Sequence, residues 1–177
     1  MRISALAARP VSWKNGGGVT RELALREKDG QMIWRLSLAD ITRDGPFSAF
    51  PGLARIHCIV EGDGHTLSNS KTRLEARPLE PLSFDGGLQL ETRLRNGPCK
   101  AFNVIYDPAR VTASAGILGA CDVPAVNGVH VLFVVSGSLD LGEAGRFIAG
   151  EGIVTENTAT GAISHGGVVI QVQFLPF

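Results

Sequence analysis

The side chains best suited to binding or catalysis lie on the two sides of an Asp29-Gly30 turn. Asp-Gly favours a two-residue hairpin loop, which predicts Ala24 opposite Arg35 and Thr20 opposite Ala39. Because side chains alternate between faces along a strand, one face then carries small and polar side chains and the other carries apolar ones. The first set is Thr20, Glu22, Ala24, Arg35, Ser37 and Ala39, and the second is Leu23, Leu25, Trp34, Leu36 and Leu38. The polar face is a candidate binding surface.

Glu22 and Arg35 offer a carboxylate and a guanidinium on this polar face. With Glu22 opposite Ser37, the two become diagonal neighbours, close enough for long side chains to meet. Two interpretations stay open: the face lines a pocket, or it is an outer surface whose ion pair contributes little to stability. Glu22 is the best general-base candidate in the chain, although a neighbouring arginine argues against that role.

The sequence offers no other catalytic or cofactor-binding pattern, so we predict no catalytic residue and no cofactor. No Ser-His-Asp or Cys-His arrangement is indicated by spacing. The run Asn15-Gly16-Gly17-Gly18 lacks the Lys-Ser/Thr of a phosphate loop. It predicts a hinge where the backbone passes close to another strand or to a ligand. Asn15 either faces that ligand or hydrogen-bonds within its own turn.

Composition excludes several classes of partner. The 177 residues contain 17 Lys plus Arg and 17 Asp plus Glu, with no basic run interleaved with aromatics, so we expect no nucleic-acid partner. No apolar stretch approaches the roughly 20 residues that span a bilayer, and no signal-peptide pattern is present. The three cysteines are odd in number and far apart, which indicates reduced thiols. We therefore predict a cytoplasmic protein without a membrane partner.

Turn signals separate many short apolar or alternating runs, which is typical of an all-β sandwich or barrel. No long segment shows helical periodicity, and only 107–116 suggests a short helix or an irregular linker. Ile59-Val60-Glu61-Gly62 and Val134-Val135-Ser136-Gly137 are each an apolar run that ends in a glycine turn. This weak repeat predicts two similar β-units.

Several blocks of the sequence resemble the HutD/Ves family of the cupin superfamily. They are Trp13-Lys14-Asn15-Gly16-Gly17-Gly18-Val19-Thr20-Arg21-Glu22, Trp34-Arg35-Leu36-Ser37-Leu38-Ala39, Asp44-Gly45-Pro46-Phe47-Ser48-Ala49-Phe50-Pro51-Gly52-Leu53-Ala54-Arg55 and Phe102-Asn103-Val104. The resemblance implies a bicupin, that is, two tandem cupin-type β-barrel or jelly-roll units, in a bacterial protein linked to histidine utilisation. We expect an N-terminal unit at 1–106 and a cupin-like unit at 107–177, packed as one compact bicupin. Ala101 departs from the family, which often has an acidic residue there.

The resemblance also predicts that no metal is bound. Metal-binding cupins place two histidines and a glutamate ahead of a glycine turn. If Gly62 is that turn, Ser48 and Phe50 stand at the histidine positions and Arg55 at the glutamate position. Arginine presents a planar fork of donors suited to carboxylate or phosphate, and when buried it needs an anionic partner. That partner is either internal, for example Glu22, or a bound ligand.

These residues predict a metal-free, small-molecule-binding protein that is regulatory or accessory in histidine or amino-acid catabolism. We expect its ligand to be a small anionic metabolite, with the carboxylates urocanate and formylglutamate as candidates. The predicted ligand-binding residues are Asn15, Thr20, Glu22, Arg35, Ser37, Ser48, Phe50, Arg55 and Asn103. Two alternatives remain: a metal-independent isomerase or hydrolase that uses Glu22 and Arg55, and a structural homodimer with a vestigial pocket.

Overall fold

The computed structural model describes residues 1–120, 123, 128–156 and 161–176, and within these ranges the chain is built from β-strands. The strands are β1 (Arg2–Ser4), β2 (Pro10–Ser12), β3 (Gly18–Lys28), β4 (Gln31–Ile41), β5 (Gly45–Phe47), β6 (Ala54–Glu61), β7 (His65–Ser68), β8 (Arg73–Ala76), β9 (Leu82–Asp85), β10 (Leu90–Leu94), β11 (Cys99–Tyr106), β12 (Val111–Leu118), β13 (Val129–Ser136), β14 (Ser138–Asp140), β15 (Arg146–Ile148), β16 (Glu151–Thr155), β17 (Ala162–Ile163) and β18 (Val168–Pro176). A 3-10 turn at Gly142–Ala144 is the single helical element in this part of the chain. No helix in the described ranges is long and apolar enough to cross a membrane.

The chain divides into two compact units, which we call the N-terminal unit (residues 8–109) and the C-terminal unit (residues 1–7 and 110–177). Strand β1 pairs with β16, so residues 1–7 belong to the C-terminal unit, and their predicted place in the N-terminal unit is wrong.

The stretch 107–116, predicted as a short helix or an irregular linker, instead contains the first part of β12, which pairs along its length with β18. Edge pairing of this kind leaves little trace in a short sequence pattern.

The N-terminal unit consists of two sheets packed on a shared core. The larger has six strands in the order β2-β3-β4-β11-β6-β9, and the smaller has four in the order β5-β10-β7-β8. Alternate residues from both sheets are buried between them, as expected for strands with one inward face. The buried cluster contains Ala39, Ile41, Phe47, Ile59, Leu67, Ala76, Leu90, Cys99 and Ala101.

The β3–β4 hairpin closes through the predicted two-residue turn. Asp29 and Gly30 both have positive φ, at 54° and 71°, as a type I′ turn requires. The predicted pairs of Thr20 with Ala39 and of Glu22 with Ser37 are present.

The predicted pair of Ala24 with Arg35 is wrong. An irregularity between Glu22 and Ala24 adds a residue to β3, so Ala24 pairs with Leu36 and Leu25 pairs with Arg35. A bulge of this kind exchanges the two faces of the strand beyond it. Ala24 is accordingly buried, and Leu25 is exposed.

The C-terminal unit repeats the same construction on a smaller scale. Its five-stranded sheet has the order β1-β16-β13-β18-β12 and its three-stranded sheet the order β15-β14-β17. Their buried side chains meet in one cluster, which contains Val123, Leu132, Val134, Leu139, Leu141, Phe147, Ile163 and Val169. The repeated motif is visible as β6–Gly62–β7 in one unit and β13–Gly137–β14 in the other, and both glycines have positive φ.

The turn between β6 and β7 gives a stability prediction. Gly64 has φ of 82°, and a Cβ placed there would lie 2.0 Å from the carbonyl oxygen of Ala76. We expect Gly64→Ala to lower the free energy of unfolding by at least roughly 3 kcal/mol, because strain and a backbone clash add together. Gly30→Ala is the matched control: its φ is similar, but nothing lies within 4 Å of its Cβ position, so about 1 kcal/mol is expected. Equal losses in chemical denaturation would contradict the clash argument.

Candidate functional site

A small cavity of about 40 Å³ opens on the six-stranded sheet of the N-terminal unit. Its lining residues are Trp13, Thr20, Arg35, Ser37, Ala39, Phe47, Ser48, Phe50, Arg55, Asn103 and Ile105. Every predicted ligand-binding residue except Asn15 and Glu22 lies in this wall. Trp13, Ala39, Phe47 and Ile105 were missed, although Ile105 shares the strand parity of Asn103.

The register of three adjacent strands brings the two arginines to the same level. Ile105 on β11 pairs with Arg35 on β4 at one side and with Arg55 on β6 at the other. Residues paired across a sheet point to the same face, so both guanidinium groups project over Ile105. Asn103 pairs in the same way with Ser37 and His57. Two neighbouring rungs of the sheet therefore build most of the floor of the cavity.

Arg55 is held by neutral groups. The residue is only 6% exposed. Its Nε and Nη2 atoms donate to the Asn103 side-chain oxygen at 3.1 and 2.7 Å, and Nη1 donates to the Ser48 carbonyl oxygen at 3.3 Å. The guanidinium carbon lies 4.1 Å from the ring centroid of Phe47, within the range of a cation–π contact.

No carboxylate of the described residues forms an ion pair with either arginine of the cavity. The Nε atom of Arg35 is buried without a hydrogen-bond partner in this part of the chain, and its guanidinium lies 5.2 Å from the ring of Phe50. Burial and the charge of Arg35 lower the pKa of Arg55 to about 9. The cavity wall thus carries two positive charges and no negative one.

The remaining polar groups of the wall add donors. The indole N–H of Trp13 donates to the Thr20 hydroxyl oxygen at 2.8 Å, which leaves the Thr20 hydroxyl hydrogen to donate elsewhere. The Asn103 oxygen is already engaged by Arg55 and by His57 Nδ1 at 2.7 Å. The Ser37 and Ser48 hydroxyl groups can donate or accept. With the two arginines included, the wall therefore offers more donors than acceptors.

Two buried histidines continue inward from Asn103. The Nε2 atoms of His57 and His65 lie 2.8 Å apart, and both residues are 0% exposed. Burial, and then the charge of Arg55, lower the pKa of His65 to about 4; the same causes hold the pKa of His57 well below 6.5. Both imidazoles are neutral near pH 7. The sequence pattern does not indicate the contact between His57 and His65.

Asn15 and Glu22 lie outside the cavity. The Asn15 side-chain oxygen accepts a hydrogen bond from the backbone N–H of Gly17 at 2.9 Å, so of its two interpretations the hydrogen bond within its own turn is the one found. Glu22 shares a face with its partner Ser37 but has an exposed side chain. Of the two partners left open for Arg55, the internal one is not supplied by Glu22, which forms no ion pair with it in the described residues. Alternation predicts the face of a residue and not its distance from a pocket. A general base at Glu22 loses its structural basis.

Metal-ligating side chains do not gather in the described residues, where no group of three or more His, Cys, Asp or Glu could hold an ion. Ser48, Phe50 and Arg55, which the sequence placed at metal-ligand positions, all line the cavity. Cys58 and Cys99 are buried free thiols, and Cys121 lies outside the described residues.

Comparison with known proteins identifies the family. The HutD family model matches residues 5–169. The chain belongs to the HutD family. It is 34% identical over 140 residues to an uncharacterized 21.2 kDa protein in the hutC 3′ region of Pseudomonas putida, a match that covers 77% of this chain and 74% of that protein. It is 30% identical over 138 residues to the protein Ves of Escherichia fergusonii, covering 76% and 72% of the two chains.

Solved structures show the same fold. HutD from Pseudomonas fluorescens superposes with a TM-score of 0.83 at 28% identity, over 99% of this HutD-family chain and 98% of the other. Oxalate decarboxylase from Bacillus subtilis superposes with a TM-score of 0.66 at 10% identity, over 98% of this chain and 76% of that one. The second likeness concerns the fold alone. The fold is all-β and cupin-like.

The neutral histidine pair predicts a pH-dependent stability. Below pH 6.5 the unfolded chain protonates His65 while the folded chain does not until about pH 4, so the free energy of unfolding falls as pH falls through this window. From pH 8 to pH 5 we expect His65 to remove about 2 kcal/mol. Urea denaturation of the wild type and of His65→Gln at both pH values isolates this contribution. A stability difference between the two proteins that does not change with pH would contradict it.

Proposed function

We propose that this HutD-family protein binds a small carboxylate in the cavity of its N-terminal unit and acts as a cytoplasmic, metal-free binding protein. In this proposal the two units form a bicupin, and the role is regulatory or accessory in histidine or amino-acid catabolism. The observation that carries it is the pair of arginines, Arg35 and Arg55, on one rung of the sheet without a carboxylate partner among the described residues.

Electrostatics favour an anion at this position. Burial, and then the charge of Arg35, disfavour the charged form of Arg55 and lower its pKa. Burial also weakens the screening of the two charges by water. An anion between them would supply the charge that the wall lacks. Arg35 Nε is a buried donor without an acceptor among the described residues, and such a donor costs free energy until an acceptor arrives. A bound anion would therefore offset two free-energy costs of the unliganded protein, the repulsion between the arginines and the unpaired Arg35 donor.

The excess of hydrogen-bond donors in the cavity wall favours a ligand group that only accepts hydrogen bonds. The arginines can only donate, the Thr20 hydroxyl has its hydrogen left to donate, and the Asn103 oxygen is occupied. An ionised carboxylate accepts on both oxygens and donates nothing. It also matches the planar fork of arginine. An ammonium or amide group would meet too few acceptors here.

The size of the cavity sets how much of the ligand it encloses. One water needs roughly 10–15 Å³ of such volume, so a cavity of about 40 Å³ holds about three atoms of that size. This is the size of one carboxylate group. The rest of a molecule such as urocanate or formylglutamate must extend beyond it.

Histidine degradation supplies fitting candidates. The relative from Pseudomonas putida is a protein of the hutC 3′ region, which supports a ligand from that class of metabolism. Urocanate carries one carboxylate and formylglutamate carries two. The cavity encloses one carboxylate, and the second carboxylate of formylglutamate would lie outside it but still near the two positive charges of the wall. We therefore place formylglutamate ahead of urocanate. The competing enzymatic hypothesis relied on Glu22 as a base, and its exposed position outside the cavity gives that hypothesis no support.

A melting experiment tests binding. At roughly 100 times its dissociation constant a ligand adds about 3 kcal/mol to the free energy of unfolding, which raises the melting temperature of a chain of this size by roughly 5–10 °C. We expect formylglutamate to produce the larger shift and urocanate a smaller one. Arg35→Gln should reduce the shift because it removes one positive charge. Arg55→Lys should also reduce it, because a lysine cannot reproduce the two-pronged contact.

Arg73→Gln is the matched control, since this arginine is 72% exposed in its side chain and pairs with Glu75 at the surface. It should leave the shift unchanged. If a panel of millimolar carboxylates leaves the wild-type melting curve unmoved, the binding proposal is wrong and a scaffold role becomes the better one.

Chelation tests the metal-free part of the proposal separately. We expect dialysis against EDTA to leave the carboxylate-induced shift unchanged, because arginine supplies the positive charge directly. Loss of the shift after EDTA, with recovery on addition of one metal and not others, would show that a metal takes part. Calorimetric titration before and after dialysis gives the same comparison as dissociation constants.

A further inference from the structure

A buried chain of side chains leads from the cavity into the interior of the N-terminal unit. Arg55 contacts Asn103, Asn103 contacts His57, and His57 contacts His65. These four residues are 6%, 2%, 0% and 0% exposed, respectively. Because these groups are buried from water, they must hydrogen-bond to one another. Each contact between them therefore needs one atom that carries a hydrogen and one that accepts it.

Asn103 sets the direction of the chain. Its amide nitrogen donates to the carbonyl oxygen of Ala101 at 3.2 Å, so its oxygen is the atom that faces Arg55 and His57. An amide oxygen can only accept. The 2.7 Å contact with His57 Nδ1 therefore requires that Nδ1 carries the hydrogen.

The same counting continues to His65. A neutral imidazole with hydrogen on Nδ1 has a bare Nε2 that accepts. The 2.8 Å contact between the two Nε2 atoms then requires hydrogen on Nε2 of His65, which leaves the Nδ1 atom of His65 bare. That atom is buried and has no hydrogen-bond partner among the described residues, as an acceptor at the end of the chain would be. Every contact is satisfied by this single assignment of neutral tautomers.

We propose that His57 and His65 are positioning residues of the anion site, whose fixed tautomers hold the Asn103 oxygen against Arg55. The inference rests on the proposed function in that Arg55 is the group that receives the carboxylate. If His65 could not donate, His57 could carry its hydrogen on Nε2 and turn a bare Nδ1 toward Asn103. Two acceptors would then face each other, and rotation of the amide would relieve them.

Rotation of the amide would disturb the anion site directly. The amide NH₂ of Asn103 would then face the Nε and Nη2 donors of Arg55, and donor against donor is repulsive. The guanidinium would lose two of its three hydrogen bonds and could leave its place over Phe47. Phe47 packs on the same assembly, with its ring edge-on to His57 at 5.5 Å. A hydrogen on His65 thus controls the position of a guanidinium three contacts away, through His57 and Asn103.

The tautomers are measurable without any ligand. Long-range ¹H–¹⁵N correlation spectra of the imidazole rings at pH 7 should show His57 with hydrogen on Nδ1 and His65 with hydrogen on Nε2. The Nε–H resonance of Arg55 should be present and protected from exchange with water. The reverse tautomer at His57, or a doubly protonated ring at either position, overturns the proposal.

Two variants of His65 separate positioning from simple packing. His65→Gln keeps an N–H that can donate to His57, and His65→Leu keeps a similar volume without a donor. With formylglutamate as the probe, we expect His65→Leu to weaken affinity by about 10-fold, the effect of one lost buried hydrogen bond, and His65→Gln to stay within about threefold. The Arg55 Nε–H resonance should move in the leucine variant and stay in the glutamine variant. Far-ultraviolet dichroism of both variants confirms that each is folded.

The outcomes distinguish this inference from the proposed function. If the wild type binds no carboxylate but the Arg55 resonance moves only in the leucine variant, the positioning role stands and the ligand proposal fails. If the wild type binds and both variants leave the Arg55 resonance and the affinity unchanged, the positioning role is wrong and the ligand proposal stands. A leucine variant that loses affinity while the Arg55 resonance stays in place also overturns it, because the effect then does not pass through the guanidinium.

Discussion

The buried guanidinium of Arg55 is the constraint around which the N-terminal unit is arranged. Removing a charged group from water costs several kcal/mol unless nearby groups compensate. Here the compensation comes from an amide oxygen, a backbone carbonyl and an aromatic face rather than from a carboxylate. Neutral acceptors stabilise the cation without cancelling its charge. The protein therefore retains a positive charge at the cavity wall, which a carboxylate at the same place would have neutralised.

Sheet geometry makes this arrangement reachable from distant parts of the chain. Arg35, Arg55 and Ile105 come from three strands, and the register aligns them on one rung of the six-stranded sheet. Strands in a sheet lie about 4.8 Å apart, so two side chains flanking a central strand can converge on a group of carboxylate size. The small side chain of Ser37 on the next rung leaves room for that group. The close turn at Gly64 places His65 at the start of β7, where it reaches His57 on β6.

Sequence reasoning could predict the faces of strands better than the depth of residues. The all-β class followed from turn residues and short runs, and alternation placed Thr20 and Ser37 on one face, where both line the cavity. The same alternation failed at Ala24, because nothing in the sequence marks the extra residue near Leu23 that shifts the register. It also placed Glu22 on the correct face without showing that its side chain lies outside the cavity. Contacts across a tight turn, such as His57 with His65, depend on backbone direction and cannot be predicted from periodicity.

The two neutral histidines give the cavity a charge that does not vary over a wide range of pH. Burial disfavours a protonated imidazole at either position, and the charge of Arg55 disfavours it further; both causes lower the pKa values of His57 and His65. At the other end of the scale, the pKa of Arg55 is lowered only to about 9. Near neutral pH none of the three groups changes protonation in the unliganded protein. In the proposed function, affinity near neutral pH then depends on the charge and shape of the carboxylate, and the histidines contribute by geometry rather than by charge.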